Sequence, residues 1–154
     1  DRPFGGICYG MQMMAKALGG TVTLAADGWN IGITTSEIYA REAWMNKNVG
    51  ETVKLLVSHK ELVTELPAKG RCIAGSEFCP NSIIGLGSSM IGFQGHPEFT
   101  PEYARALMEL RRGLIPPERI DAGLDSLSMA LDSGHVFRSM LNFLCNNGAW
   151  DMNA

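Results

Sequence analysis

Apolar and polar positions change period several times along the chain, and each change marks an element. Phe4-Gly5-Gly6-Ile7-Cys8 reads as the end of a short buried strand. From Tyr9 the period lengthens. Met11, Met14, Ala15 and Leu18 recur at helical spacing, and Gly19-Gly20 supplies the left-handed residue that ends such a helix. Thr21–Leu24 predicts a strand, closed by the turn signal Asp27-Gly28. Residues 31–45 carry two patterns: Ile31–Thr35 favours a strand, whereas Ala40–Trp44 fits a helical turn or a further strand. Thr52–Val57 is the next strand, Leu62–Leu66 a short one stopped by Pro67, and Cys72–Ala74 and Met90–Gln94 two more. The last third is helical. Thr100 caps, Pro101 takes the first helical position and Glu102 favours the positive end of the dipole. Tyr103, Leu107 and Leu110 are placed on one face of that helix. After the break at Pro116-Pro117, a helix is predicted over Glu118–Leu131 and another over Ser133–Cys145, with Val136, Met140, Phe143 and Leu144 inward. A strand–helix unit, a group of strands and terminal helices predict an α/β fold.

Composition narrows the class. At 154 residues, 45% hydrophobic and 19% charged, the chain fits one globular domain. A net charge of −3 gives no electrostatic reason to expect nucleic acid or an acidic membrane surface as partner. No apolar run approaches the ~20 residues of a membrane span, and no leader peptide opens the chain. Cys8, Cys72, Cys79 and Cys145 show no paired CxxC spacing, so a reducing cytoplasm is the expected location. Cys72, Cys79 and His59 match no common zinc spacing, and no metal is expected. The chain opens Asp-Arg-Pro-Phe, without an initiator Met, and its most chemically loaded segment begins a few residues in. That pattern is expected of a fragment.

Gly6-Ile7-Cys8-Tyr9-Gly10 has the form G-x-C-x-G at a strand-to-helix junction. A sharp turn there exposes the cysteine above the strand end, and residues without Cβ on either side permit it. The following helix directs its free N–H groups and positive dipole end at the sulfur, which favours the thiolate. The Tyr9 N–H is placed to donate to an oxyanion. Alone, the motif also fits a structural cysteine between two packing glycines. His96-Pro97-Glu98 shifts that balance: residues i and i+2 of an extended segment point to one side, so a carboxylate can select the imidazole tautomer. A Cys-His-Glu triad follows. His59 reads as a positioning or pocket-wall histidine, Cys145 as buried and inert, and Trp29 and Trp44 as lining a pocket or packing on the sheet edge.

Pro3–Gln12 and Gly92–Phe99 resemble the two signatures of class I, triad-type glutamine amidotransferase domains. Phe-Gln-Gly-His-Pro-Glu is closest to the stand-alone GMP-synthase-like branch and to the plant γ-glutamyl peptidases. Gly28–Gly32 and Ser58–Pro67 are similar to family segments in the right order. The resemblance implies Cys8 as nucleophile, His96 as base and acid, Glu98 as the orienting acid and the Tyr9 amide as an oxyanion donor. It further implies Gln12 and Gly10 as positions that bind glutamine. Lys60-Glu61 departs from the family's usual Gly/Gln-Asp after the histidine.

The implied fold is a flavodoxin-like, open, mostly parallel sheet with helices on both faces. Residues 1–154 would be the C-terminal part of a single amidotransferase domain, its N-terminal strands and second oxyanion donor lying outside the chain. The implied activity is hydrolysis of the γ-amide of L-glutamine through a thioester on Cys8. It needs no cofactor, and ammonia passes to an acceptor on a synthase subunit. Two alternatives stand: a γ-glutamyl peptidase with the same triad, and a non-catalytic binding or regulatory homologue.

Overall fold

The computed structural model describes residues 2–146. In chain order its elements are β1 (Phe4–Ile7), α1 (Tyr9–Ala17), β2 (Thr21–Leu24), β3 (Asn30–Ile38), β4 (Thr52–His59), β5 (Glu61–Glu65), β6 (Gly70–Gly75), β7 (Ile83–Leu86) and β8 (Met90–Phe93). Helices α2 (Pro101–Leu110), α3 (Pro117–Ser126) and α4 (Ser133–Asn146) follow. Six strands form one sheet in the order β1-β8-β7-β6-β3-β4, and β2 and β5 form a separate antiparallel pair.

The α/β class and the helices on both faces hold; the mostly parallel sheet does not. Among the described residues only β1 and β8 pair in parallel, and the ladders from β8 through β7, β6 and β3 to β4 are antiparallel. Short connections explain this for β6–β7 and β7–β8. A parallel pair needs a crossover of about a dozen residues or more, whereas β7 turns into β8 through three residues led by Gly87 at φ 61°. Strand β7 is absent from the sequence prediction. Residues 40–44 settle as bends and turns, neither helix nor strand.

Alternation along the strands divides the core. Leu55, Ile83, Ile91 and Phe93 pack under α4 through Val136, Met140 and Phe143. Leu56, Ile31 and Ile33 pack against α2 and α3 through Ala104, Met108 and Ile120. Ile84 and Leu86 meet Met11, Met14 and Ala15 of α1. Leu55 and Leu56, or Ile83 and Ile84, thus serve opposite faces, as a period of two requires. Trp44 lies in the first of these layers, edge-on to Phe93 and Phe143.

Three helical expectations change in detail. Thr100 accepts from the Tyr103 N–H, as the cap predicts. The buried face of α2 is Ala104 and Met108, while Tyr103 and Leu110 are exposed. Helix α3 stops at Ser126 because that side chain is drawn to the sheet: its Oγ accepts from the Ile33 N–H and donates to the Gly123 carbonyl. Cys145 is half-buried rather than buried. No helix among the described residues is long and apolar enough to cross a membrane.

Candidate active site

The parallel pair positions the site. Register places Ile7 beside Phe93, so the carboxyl ends of β1 and β8 lie side by side, one leading into Cys8 and the other toward His96. Gly6 faces Gly92 in the same ladder. A Cβ on Gly6 would stand 2.7 Å from the Gly10 carbonyl carbon and the Met11 nitrogen, and one on Gly92 would stand 2.6 Å from Met11 Cγ. Two bare backbones therefore let the start of α1 lie flat on the strands immediately after the cysteine. Gly10 differs from the sequence reading, since nothing lies within 4 Å of its notional Cβ. Its openness leaves room beside Cys8.

Cys8 has φ 49° and ψ −107°, and it is the one non-glycine residue at positive φ among those described. Its N–H donates to the Phe93 carbonyl at 2.7 Å, and its own carbonyl accepts from the Gln12 N–H at the helix start. A strained residue held from both sides, at a strand-to-helix turn, is the geometry of an exposed nucleophile. Burial pushes the Cys8 thiol up from its ordinary value. Hydrogen bonds from the Tyr9 N–H and the Gln94 amide, with the charge of Arg111, oppose that rise, and the charge of Glu98 adds to it. Burial thus works against the thiolate that the helix start favours.

His96 follows β8 by three residues, and its N–H donates to the Leu56 carbonyl of β4 at 2.7 Å. Its Nδ1 donates to Glu98 Oε1 at 2.7 Å, which fixes the tautomer and leaves Nε2 as the acceptor. The ring stacks on Phe99 with centroids 3.8 Å apart, and Tyr103 meets Phe99 edge-on. The imidazole is 13% exposed and the Glu98 side chain 42%, so the ring is shielded while its partner is wet.

Gln94 is a residue the sequence reading quoted but gave no task. It is 1% exposed, its Nε2 donates to Cys8 Sγ at 3.4 Å, and its Oε1 accepts from Gln12 Nε2 at 3.1 Å. Gln12 Nε2 donates also to the Glu61 carbonyl at 2.8 Å. Gln12, expected to bind substrate, is therefore 5% exposed with its nitrogen committed, and only its amide oxygen is left for a ligand. The Glu61 carbonyl accepts from His59 Nδ1 as well, and Asn30 Nδ2 approaches His59 Nε2 at 3.4 Å. His59 is buried behind the site, next to a cavity of about 20 Å³ that Gln94 and Ser82 also line. That is room for about one water, and Ser82 Oγ there is buried without a partner.

His59 is held neutral, its pKa lowered by burial from 6.5 to about 4. The unfolded chain takes up this proton near pH 6.5 and the folded one only near pH 4, so stability falls as pH drops through that window. The slope is about 1.4 kcal/mol per pH unit. Denaturant melts at pH 7 and pH 4.5 should show the native protein losing about 2–3 kcal/mol more than His59→Gln. Equal losses would refute a buried neutral His59. Among the other thiols, burial pushes Cys79 up to about 12, and Cys72 is also raised by burial. Trp29 packs against the α2 and α3 core, with the Arg111 guanidinium over its ring.

Residues 1–111 match the family model for class-I glutamine amidotransferases, and the chain belongs to that family. It is similar to a GMP synthase [glutamine-hydrolyzing] of Hamiltonella defensa, 38% identical over 106 residues that make up 64% of this chain and 20% of that protein. It is also similar to gamma-glutamyl peptidase 5 of Arabidopsis thaliana, 23% identical over 92% of this chain and 57% of the relative. A crystal structure of a glutamine amidotransferase from Thermotoga maritima superposes with a TM-score of 0.70 at 23% identity, covering 94% of this chain and 61% of that one. The chain thus spans a fifth of the first relative's length and little more than half of the second's.

Proposed function

We propose that this chain carries the nucleophile and the acid–base pair of a γ-glutamyl amide hydrolase, with L-glutamine as substrate. The observation that carries the reading is Cys8 at positive φ on the end of β1, beside the strand whose end holds the His96–Glu98 pair. Cys8 Sγ attacks the γ-carbonyl carbon and passes its proton to His96 Nε2. Charge collects on the carbonyl oxygen, to which the Tyr9 N–H donates. The C–N bond then breaks, His96 returns the proton to the leaving nitrogen, and ammonia departs from a γ-glutamyl thioester. Water gives a proton to His96, its oxygen attacks the thioester carbon, and the C–S bond breaks. Glutamate leaves, and the proton held on His96 restores the thiol. Glu98 keeps Nδ1–H paired throughout.

Gly10 and the Gln12 oxygen border the space for the glutamyl chain. The similarity to a glutamine-hydrolysing synthase supports ammonia transfer to an acceptor on a synthase subunit. A second reading keeps the residues and changes the leaving group to the amine of a γ-glutamyl peptide. Similarity to a γ-glutamyl peptidase over 92% of this chain favours it. Both are tested by measuring glutamate released from L-glutamine and from γ-glutamyl dipeptides, with mass spectrometry of the Cys8 peptide after an acid quench. A γ-glutamyl adduct on Cys8 is expected, and faster turnover of glutamine sinks the peptidase. A folded protein that turns over neither substrate overturns both readings.

A further inference from the structure

Arg111 closes helix α2 as its C-terminal cap, and its side chain reaches strand β4. Its Nη1 donates to Ser58 Oγ on β4, two residues beyond the Leu56 carbonyl that holds the His96 backbone. Its guanidinium carbon lies 4.8 Å from the centre of the Trp29 ring. Lys60 Nζ stands 5.9 Å from the same ring, and Arg119 Nη1 donates to the Trp29 carbonyl at 2.7 Å. Three cations gather around one tryptophan in a chain whose net charge is −3. Among the described residues no carboxylate forms an ion pair with Arg111, whereas Arg71 pairs with Glu42 and Arg112 with both Glu109 and Asp121. The Arg111 charge nevertheless acts on the Cys8 sulfur.

A guanidinium presents five N–H donors in a rigid planar fork that matches a carboxylate. Stacking on Trp29 and the Ser58 bond fix the plane of this fork while using one nitrogen. Desolvation of a half-buried, unpaired cation is compensated when an anion arrives. We propose that Arg111, with Trp29 as its floor, binds a carboxylate of the substrate and so determines which γ-glutamyl amides enter. The inference rests on the hydrolase reading above. Two carboxylates have the right chemistry: the α-carboxylate of the γ-glutamyl unit, and the terminal carboxylate of a peptide leaving group.

The test compares kcat/KM on four substrates: L-glutamine, L-glutamine with its α-carboxylate capped as an amide, and a γ-glutamyl dipeptide with its C-terminus free or amidated. Arg111→Met keeps the stem over Trp29 and removes the charge. It should lower kcat/KM about 10- to 100-fold, mainly through KM, on substrates that carry the bound carboxylate, and less than about 2-fold on those where it is capped. Arg111→Lys, which keeps charge without the fork, should fall between and guards against a folding defect in the Met variant. If the α-carboxylate is bound, glutamine and both dipeptides fall together. If the leaving-group carboxylate is bound, only the free dipeptide falls. Equal losses on all four substrates, or none, with wild-type turnover intact, overturn this inference alone. Wild-type silence on all four substrates overturns the hydrolase reading and this inference with it.

Discussion

Cys8→Ala abolishes glutamate release, by about ten-thousandfold or more on whichever substrate the native protein prefers. Without the sulfur there is no thioester, and the step cannot divide into two easier ones. The size of the effect does not depend on the resting protonation of the sulfur, since the thioester needs the sulfur in either state. The variant should keep its fold, because the hydrogen bonds that hold this turn belong to the Cys8 backbone. A second substitution separates chemistry from strain. At φ 49° a β-carbon is costly by about 1–3 kcal/mol, and glycine removes that cost. Cys8→Gly should therefore be as inactive as Cys8→Ala but melt at a higher temperature. Turnover retained by either variant, measured as glutamate released with circular dichroism confirming the fold, would remove Cys8 from the mechanism.

The turn at Cys8 was legible in the sequence because its physics is local. Gly6 must be bare where α1 begins, and the residues after Cys8 carry their own helical period. What the sequence hid depends on distant partners. The neighbour of β1 is β8, more than eighty residues away, and no local pattern announces that pairing. Strand β7 offered four residues interrupted by Gly85, too little to separate from a loop. On α2 the apolar residues Tyr103 and Leu110 suggested one face, yet small Ala104 turns inward and lets the helix approach the sheet. Gln94 looked like the end of a strand, because its bonds to Cys8 and Gln12 span 86 and 82 residues. Arg111 meets Ser58 from 53 residues away. Geometry set by neighbours in sequence was readable; contacts assembled by the sheet were not.

The second large effect belongs to the His96–Glu98 pair. His96→Asn should lower turnover nearly as far as Cys8→Ala, because it removes the ring proposed to take the thiol's proton and return it to the leaving nitrogen. Glu98→Gln is the more informative change. Its amide can present an N–H to Nδ1, which selects the opposite tautomer and puts a proton on Nε2 where the base is needed. The expected loss in kcat is about a hundred- to ten-thousandfold, toward the lower end because the carboxylate is 42% exposed and water can partly replace it. The same substitution acts on the sulfur in the other direction. Glu98 is a negative charge that raises the Cys8 thiol, so removing it should shift the alkylation profile of Cys8 to lower pH, from a native midpoint above that of a free thiol. A general loss of structure would also make the thiol more acidic by exposing it, so the shift counts only with circular dichroism showing the variant folded. If Glu98→Gln slows turnover and leaves the alkylation profile where it was, Glu98 is not electrostatically coupled to Cys8 and the three residues do not act as one site.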